Sequence, residues 1–501
     1  MKGTHFVKGT LLFSSATFVS RILGYIRDAT IAYVFGANPL TDAFFVAWRI
    51  PNTLRQLVAE GSFNAAFIPI YTQLNKNDPE YAKKFASSMF SFYTLILTAI
   101  TMISIVLAKY IVVLIAPGLA EKGTLDTAAS LLKIVFPYLI LVGWVSFFMA
   151  LLNTKDRFFI PAVSPALLNL SFIFFALLLS ERFGIYALAY GAIVGGILQV
   201  ILQIPLLIKE KMVPSVSFNF LPEIKETIKR LAPAFASFGV SQFGFVVDTI
   251  IASFLIGGAI SYLYYANRIF QLPIGLFAIG LGNALLVSLS RHFSEENKKE
   301  FNKDLNNGIR FAFFISIPAV VGMIVLGQEI IKILFERGAF SQKDGLWTYY
   351  ALVGYSIGLV GYAASRPLKS AFFAMGNTKI PLYSTIVGIL VSIVLAVVFG
   401  FVLNWGVFGL AFASSIGGIM SFVYLYLISK FEIDKKGVLE TVFKSVISAV
   451  LMAASVFGVK FLTGNLYIQV FGGIAIAIII YFSVAYLLKE NSVLMLKKLK
   501  K

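Results

Sequence analysis

Seven basic residues lie inside stretches that are otherwise apolar: Arg21, Arg27, Arg49, Arg55, Lys133, Arg268 and Arg366. Asp28, Asp42, Glu60 and Asp248 are the carboxylates found in the same kind of setting. A guanidinium is a planar, permanently charged fork that matches pairs of phosphate or carboxylate oxygens. Arg21 and Asp28 are seven residues apart and so share a helix face, with Ser14 one heptad earlier and Ser20 and Gly24 beside that stripe. Ionisable groups in apolar spans cost several kcal/mol unless they face a partner or a water-filled cavity. The arginines outnumber the nearby carboxylates, so Arg21, Arg27, Arg55 and Arg268 predict a net-positive, hydrated cavity. Its ligand should be an anion, and a phosphate or diphosphate fits best. Purely structural uses compete with this reading. Arg27 and Asp28 can pair with each other, Asp42 can cap the helix it begins, and Glu60 can neutralise Arg55 or Arg49. Arg366 and Lys133 can snorkel to an interface. Pro51-Asn52 is expected to break the second helix and free backbone groups there.

These residues need long apolar elements to hold them. The chain has 501 residues, of which 58% are hydrophobic and only 13% charged, and its mean hydropathy is +0.86. So little polar surface cannot cover a water-soluble globule of this size. No cysteine is present, which excludes disulfides and thiolate metal sites, and two histidines, His5 and His292, leave little for zinc or haem. Runs of about 20 apolar residues suffice to cross a bilayer as helix. Such runs fall at 8–35, 39–72, 84–109, 127–153, 160–181, 184–208, 230–257, 261–290, 308–328, 345–374, 380–403, 406–429, 440–463 and 465–488. Fourteen helical spans result. The first continues through Arg21, Arg27 and Asp28 and does not read as a cleaved signal peptide.

Orientation follows from the connections. The N-terminus, every second connection and the tail hold 28 of the 42 Lys and Arg residues, and the opposite connections hold seven. The positive-inside rule then places both termini in the cytoplasm. Most of the net charge of +18 is accounted for by topology and by contact with anionic lipid heads, so no nucleic-acid partner is implied.

The chain also repeats itself. GIYALAYGAIVGGI at 184–197 recurs as GVFGLAFASSIGGI at 406–419, and Asn153-Thr154-Lys155 recurs as Asn377-Thr378-Lys379. Ala47, Arg49, Gly61 and Asn64-Ala65 recur as Ala266, Arg268, Gly280 and Asn283-Ala284. The repeat unit holds six spans, so both copies face the same way, a transporter plan. The expected organisation is an N-lobe at 1–210, a cytoplasmic linker at 211–229, a C-lobe at 230–430, and two added helices with a basic tail at 431–501.

At SRILGYIRDATIAYVFGANPLTDAFFVAWRIPNTLRQLVAEGSFNAAFIPIY (20–71) the chain closely resembles the MurJ (MviN) family of lipid II flippases, within the multidrug/oligosaccharidyl-lipid/polysaccharide exporter superfamily. ALLNTKDRFFIPAVSPALLN (150–169) and YYANRIFQLPIGLFAIGLGNALLVSLS (264–290) carry the resemblance onward. It implies an all-α polytopic protein of the bacterial cytoplasmic membrane with two six-helix lobes and alternating access. The substrate it implies is undecaprenyl-diphosphate-linked disaccharide-pentapeptide, moved to the outer leaflet for peptidoglycan assembly.

Ser20, Arg21, Arg27, Asp28, Arg55 and Arg268 match the family's cavity residues. Asp42 and Glu60 also match its motifs and, with Arg49 and Asn267, are gate or salt-bridge candidates; Asn267 stands where the family also has Asp. The last two helices correspond to a groove for the lipid tail. Some members bind sodium through an Asp on the seventh helix, Asn and Asp on the eleventh and further oxygens on the twelfth. Only Asp248 carries over, because Ser392 and Ala396 stand at the eleventh-helix positions. Sodium, protons and membrane potential all stand as sources of drive, with no other cofactor expected. A monomer is expected, with cell-wall synthesis enzymes as conceivable neighbours.

Three rival readings are weaker. The first is another transporter of the same fold, exporting a different lipid-linked oligosaccharide or a drug; a cationic-drug exporter should have a carboxylate-rich cavity. An intramembrane enzyme on lipid diphosphates would need a metal-binding carboxylate cluster or a mid-span histidine, and a pure scaffold would not explain buried arginines.

Overall fold

The structure, a computed structural model, describes residues 2–59 and 62–493, and among these there is helix and no strand. The helices are α1 (Lys2–Phe35), α2 (Pro39–Ala59), α3 (Ser62–Asn77), α4 (Pro79–Val106), α5 (Ala108–Ile115), α6 (Leu125–Val135), α7 (Tyr138–Asn153), α8 (Phe159–Leu178), α9 (Ser180–Phe183) and α10 (Tyr186–Lys209). They continue as α11 (Pro222–Phe254), α12 (Ala259–Pro273), α13 (Ile279–Ser294), α14 (Lys298–Leu334), α15 (Gln342–Ala374), α16 (Lys379–Val397), α17 (Gly406–Ile428), α18 (Lys435–Leu462) and α19 (Gly473–Leu487).

These group into the fourteen spans read from the sequence. The second span holds α2 and α3, the fourth α6 and α7, and the eighth α12 and α13 joined by a π-helical turn, Ile274–Ala278, just after Pro273. Among the described residues, nine helical segments are long and apolar enough to cross a membrane by length and composition. The other five spans, on α1, α2–α3, α11, α12–α13 and α15, include most of the arginine-bearing ones. The protein is an all-α, multi-pass membrane protein.

Local chemistry sets the helix ends. Asn38 Oδ1 accepts from the N–H groups of Leu40 and Thr41 at 3.0 and 3.1 Å, capping α2. Asp78 does the same for α4, and Ser341 with Asp344 forms a capping box on α15. Contrary to expectation, α2 runs through Pro51 without a break. A proline removes one helical hydrogen bond and crowds the preceding turn, yet the helix continues to Ala59.

By packing, the chain forms two compact units: Met1–Ile260 with Gly338–Phe340, and Ser261–Arg337 with Ser341–Lys501. The repeat divides the sequence in the linker at 211–229, whereas the packing divides it after Ile260, so α11 packs with the first unit. In the first unit α1 lies against α8, α10 against α8 and α7, and α11 against α3, α5 and α2. Phe63, Phe67, Phe85 and Phe147 are fully buried there and stack at 5.0–5.6 Å. In the second unit α15 packs on α17 and α14, α16 on α17, and α14 on α18. Gly358, Gly361, Gly388 and Gly417 allow this, since a Cβ on any of them would meet backbone of the facing helix at 2.5–2.7 Å.

Candidate functional site

The first unit contains a buried polar cluster built on α1 and α8. Arg27 is 9% exposed and Asp28 is fully buried. Arg27 donates from Nε and Nη2 to Asp28 Oδ1 at 2.9 and 2.6 Å, and from Nη1 to Asn169 Oδ1 at 3.1 Å. The Asn169 amide donates in turn to the Ser20 carbonyl at 3.0 Å. Phe172, one turn along α8 from Asn169, lies beneath the guanidinium with its ring centroid 5.6 Å from Cζ. It packs edge-on against Phe44 and Trp48 of α2. The side-chain order along α8 follows from helical spacing: Asn169 and Phe172 are three apart and share a face.

This arrangement fixes the direction of a charge inside an apolar unit. Breaking such a pair by removing one partner leaves a buried ion uncompensated, at a cost of about 3–5 kcal/mol. Six residues before Arg27 on the same helix, Arg21 is exposed and has no ion-pair partner among the described residues. Ser20 is half-buried and enters the cluster through its backbone oxygen. Arg55 is half-buried on α2, its Nε donating to Asn52 Oδ1 at 3.0 Å. Of these three arginines, Arg27 is clamped and Arg21 and Arg55 are more accessible.

The gate candidates of the first unit meet α11 and the turn after it. Arg49 donates to the Thr249 hydroxyl, and its guanidinium lies 5.6 Å from the Phe245 ring centroid. Asp248 is the neighbour of Thr249 on α11 and is half-buried. Asp42 is fully buried, and its Oδ2 accepts from the Gly258 N–H at 2.8 Å. Asn38, and not Asp42, is therefore the cap of α2, which leaves the Asp42 carboxylate to hold the glycine turn.

Two further bonds hold the same end of α11. The Gly118 N–H donates to Ser253 Oγ at 3.0 Å and Lys122 Nζ to the Ile256 carbonyl at 3.3 Å. Burial lowers the Lys122 pKa below the ordinary lysine value, while Asp42 and Glu121 act in the opposite direction. These contacts tie the end of α11 to unit 1. Glu60 lies outside the described residues.

In the second unit, Arg268 is half-buried on α12, and Asn267 accepts from Gln271 Nε2 at 2.5 Å one turn along. The polar groups of this helix face run directly into the π-helical turn at Ile274–Ala278, a local widening common at functional sites. Arg366 is exposed, with its aliphatic stem against α13: its Cβ and Cδ lie 3.7 and 3.8 Å from the place a Cβ on Gly282 would take. Three residues on, Lys369 donates to Thr385 Oγ1 at 3.2 Å. Neither cation has a carboxylate partner among the described residues.

Asn169, Phe172, Thr249 and Gly258 were not singled out by sequence reasoning. Asn169 carried a signal nonetheless, as the lone amide of the span at 160–181.

Comparison with known proteins gives this chain a family. The profile of the family described as "Lipid II flippase MurJ" matches residues 31–477. A curated relative from Aquifex aeolicus, "Probable lipid II flippase MurJ", is 35% identical over 97% of this chain and 95% of its own. A solved structure titled "Lipid II flippase MurJ, inward closed conformation" is 32% identical, covers 95% of this chain and 98% of its own, and superposes with a TM-score of 0.82. An inward-facing multidrug transporter of the MOP superfamily, 14% identical over 83% of this chain and 96% of its own with a TM-score of 0.69, shares the fold. The chain belongs to the MurJ family of lipid II flippases.

Proposed function

We propose that this protein moves lipid II from the cytoplasmic to the outer leaflet by alternating access, and that arginines hold the diphosphate of the lipid. The observation that carries the mechanism is the buried Arg27–Asp28–Asn169 cluster. Asp28 balances Arg27 when no substrate is bound. A diphosphate brings several anionic oxygens and can replace Asp28 at the guanidinium fork through charge-assisted bonds. Asn169 keeps the fork aimed during that exchange. Arg21 and Arg55 supply further positive charge from α1 and α2, and Arg268 on α12 is assigned the same chemistry, with Ser20 as a polar neighbour.

Arg49 and Asp42 are assigned to gating, because each holds α11 or the turn that follows it, and Glu60 and Asn267 are assigned with them. A ligand moves such an equilibrium only through different contacts in its two states. Substrate that takes Arg27 from Asp28 makes such a difference.

The residues do not fit a sodium site of the kind some relatives have. A hard cation needs several oxygen ligands. The eleventh span offers Ser392, packed against Gly417 of α17, and the buried Ala396 at the relevant positions. Protons or the membrane potential are left as the drive. The protein works in the bacterial cytoplasmic membrane with both termini in the cytoplasm, as a single chain, and as a transporter with no enzymatic step.

The test uses cells depleted of their own flippase. Lipid II should become accessible to an externally added lipid II-cleaving toxin when this chain is expressed, and stay protected with Arg27→Ala. Continued protection with inserted, folded wild type would overturn the reading.

A further inference from the structure

The connection between α10 and α11 is a sequence of alternating character. Its ten residues 212–221 have no helix, and Val213, Val216, Phe218 and Phe220 are exposed. Ser215, Ser217 and Asn219 interleave with the last three. In an extended chain such alternation puts the two sets on opposite sides.

The polar side is seated on α4. The Ser215 N–H donates to Ser87 Oγ at 3.1 Å and the Ser217 N–H to Ser91 Oγ at 2.9 Å, while the Ser88 and Ser217 hydroxyls bond at 2.9 Å. Ser87, Ser88 and Ser91 are buried beneath the strap. Phe218 and Phe220 both pack edge-on against Phe92, at 5.9 and 5.7 Å. The segment is thus a fixed strap with an apolar outer face, and not a loose water-exposed linker.

Its place along α4 says what covers that face. The serines lie about 12–18 Å from the start of the helix, one to two turns beyond Lys83 and Lys84. Lys209 and Lys211 precede the strap, and Lys225, Lys229 and Arg230 follow it. Apolar residues facing out at the beginning of a membrane span, flanked by cations, match the boundary between anionic headgroups and acyl chains.

We infer that residues 213–220 are an interfacial anchor, with Val216, Phe218 and Phe220 inserted among the lipids of the leaflet on the basic side of the protein. The remaining backbone donors of the strap face the hydrated headgroup zone, where they can be satisfied. A deeper position would strand them. Which leaflet this is rests on the orientation proposed above, but the insertion itself does not depend on the transported lipid.

The chain has no native cysteine, so Val216→Cys, Phe218→Cys and, as a water-facing reference, Asn77→Cys can each carry a single nitroxide label. Reconstitution into phosphatidylglycerol/phosphatidylethanolamine vesicles allows accessibility to oxygen and to a water-soluble nickel complex to be compared. The ratio of oxygen to nickel accessibility should be severalfold higher at 216 and 218 than at 77, and should fall in pure phosphatidylcholine. Adding Ser87→Ala and Ser91→Ala should make the label at 216 more mobile. Nickel access at 216 and 218 equal to that at 77 would place the strap in water and overturn the proposal. Shielding from both reagents would also overturn it, because protein would then be covering the face. Toxin accessibility of lipid II, measured on the same variants, reports separately on flipping.

Discussion

The fifth and eleventh spans stand at corresponding places in the repeat, yet they serve different ends. In unit 1, α8 presents Asn169 and Phe172 to α1 and holds a buried arginine in place. In unit 2, α16 presents Gly388 and Ser392 to α17, so closely that a Cβ on Gly388 would meet the Gly417 carbonyl at 2.7 Å and Ser421 Cβ at 3.2 Å. One helix positions a charge, and the other only allows backbones to approach. Residues 380–429 contain no charged side chain at all, whereas residues 20–60 contain seven. The two spans share a place in the repeat but not a polar function: the buried charge cluster lies on the fifth. The apolar copy gains its tightness from small residues and dispersion, the mode of association available between helices in lipid.

The sharpest way to break this contrast is at Arg27 and Asp28. Arg27→Ala should abolish flipping, and Arg27→Lys should do nearly the same because an ammonium cannot reproduce the fork. Asp28→Ala should also destabilise the protein by about 3–5 kcal/mol, since Arg27 then stays buried without its counter-charge. Complementation of flippase-depleted cells and thermal unfolding in detergent read the two effects.

Next in size is Asn169→Leu, which leaves the Arg27 Nη1 donor and the Ser20 carbonyl without their partner. A loss of about 1–3 kcal/mol is expected, with flipping reduced more than folded yield. Equal loss of both in the toxin-accessibility and expression measurements would reduce Asn169 to a packing residue. On the other side of the contrast, Gly388→Ala should cost about 1–3 kcal/mol through overpacking against the Gly417 carbonyl. Flipping per folded molecule should be retained. The smallest effects are expected from Ser392→Ala and from replacing external sodium by choline, both leaving flipping unchanged. A sodium requirement would show that oxygens outside α16 complete a cation site with Asp248.

Much of the architecture was legible because hydropathy is a local property. Fourteen apolar runs, the arginines inside them and the repeated six-span unit could be read from residue types and spacing. The fate of Pro51 was misjudged, since a proline's effect depends on whether the surrounding turns can keep the helix continuous. Asp42 was half-read: a helix-start carboxylate commonly caps, but Asn38 already occupies that role, and the partner of Asp42 is a glycine 216 residues away.

By itself, the sequence determined that this chain crosses a membrane many times, that its charge inside the spans is mainly arginine, and that its motifs are those of one flippase family. Each of these follows from composition, period or a contiguous motif. Tertiary structure alone decided that Asn169 grips Arg27 across 142 residues, that α11 packs with the first unit, and that the serines of α4 hold the strap. Those outcomes depend on which buried donor meets which acceptor, a long-range pairing that hydropathy does not encode.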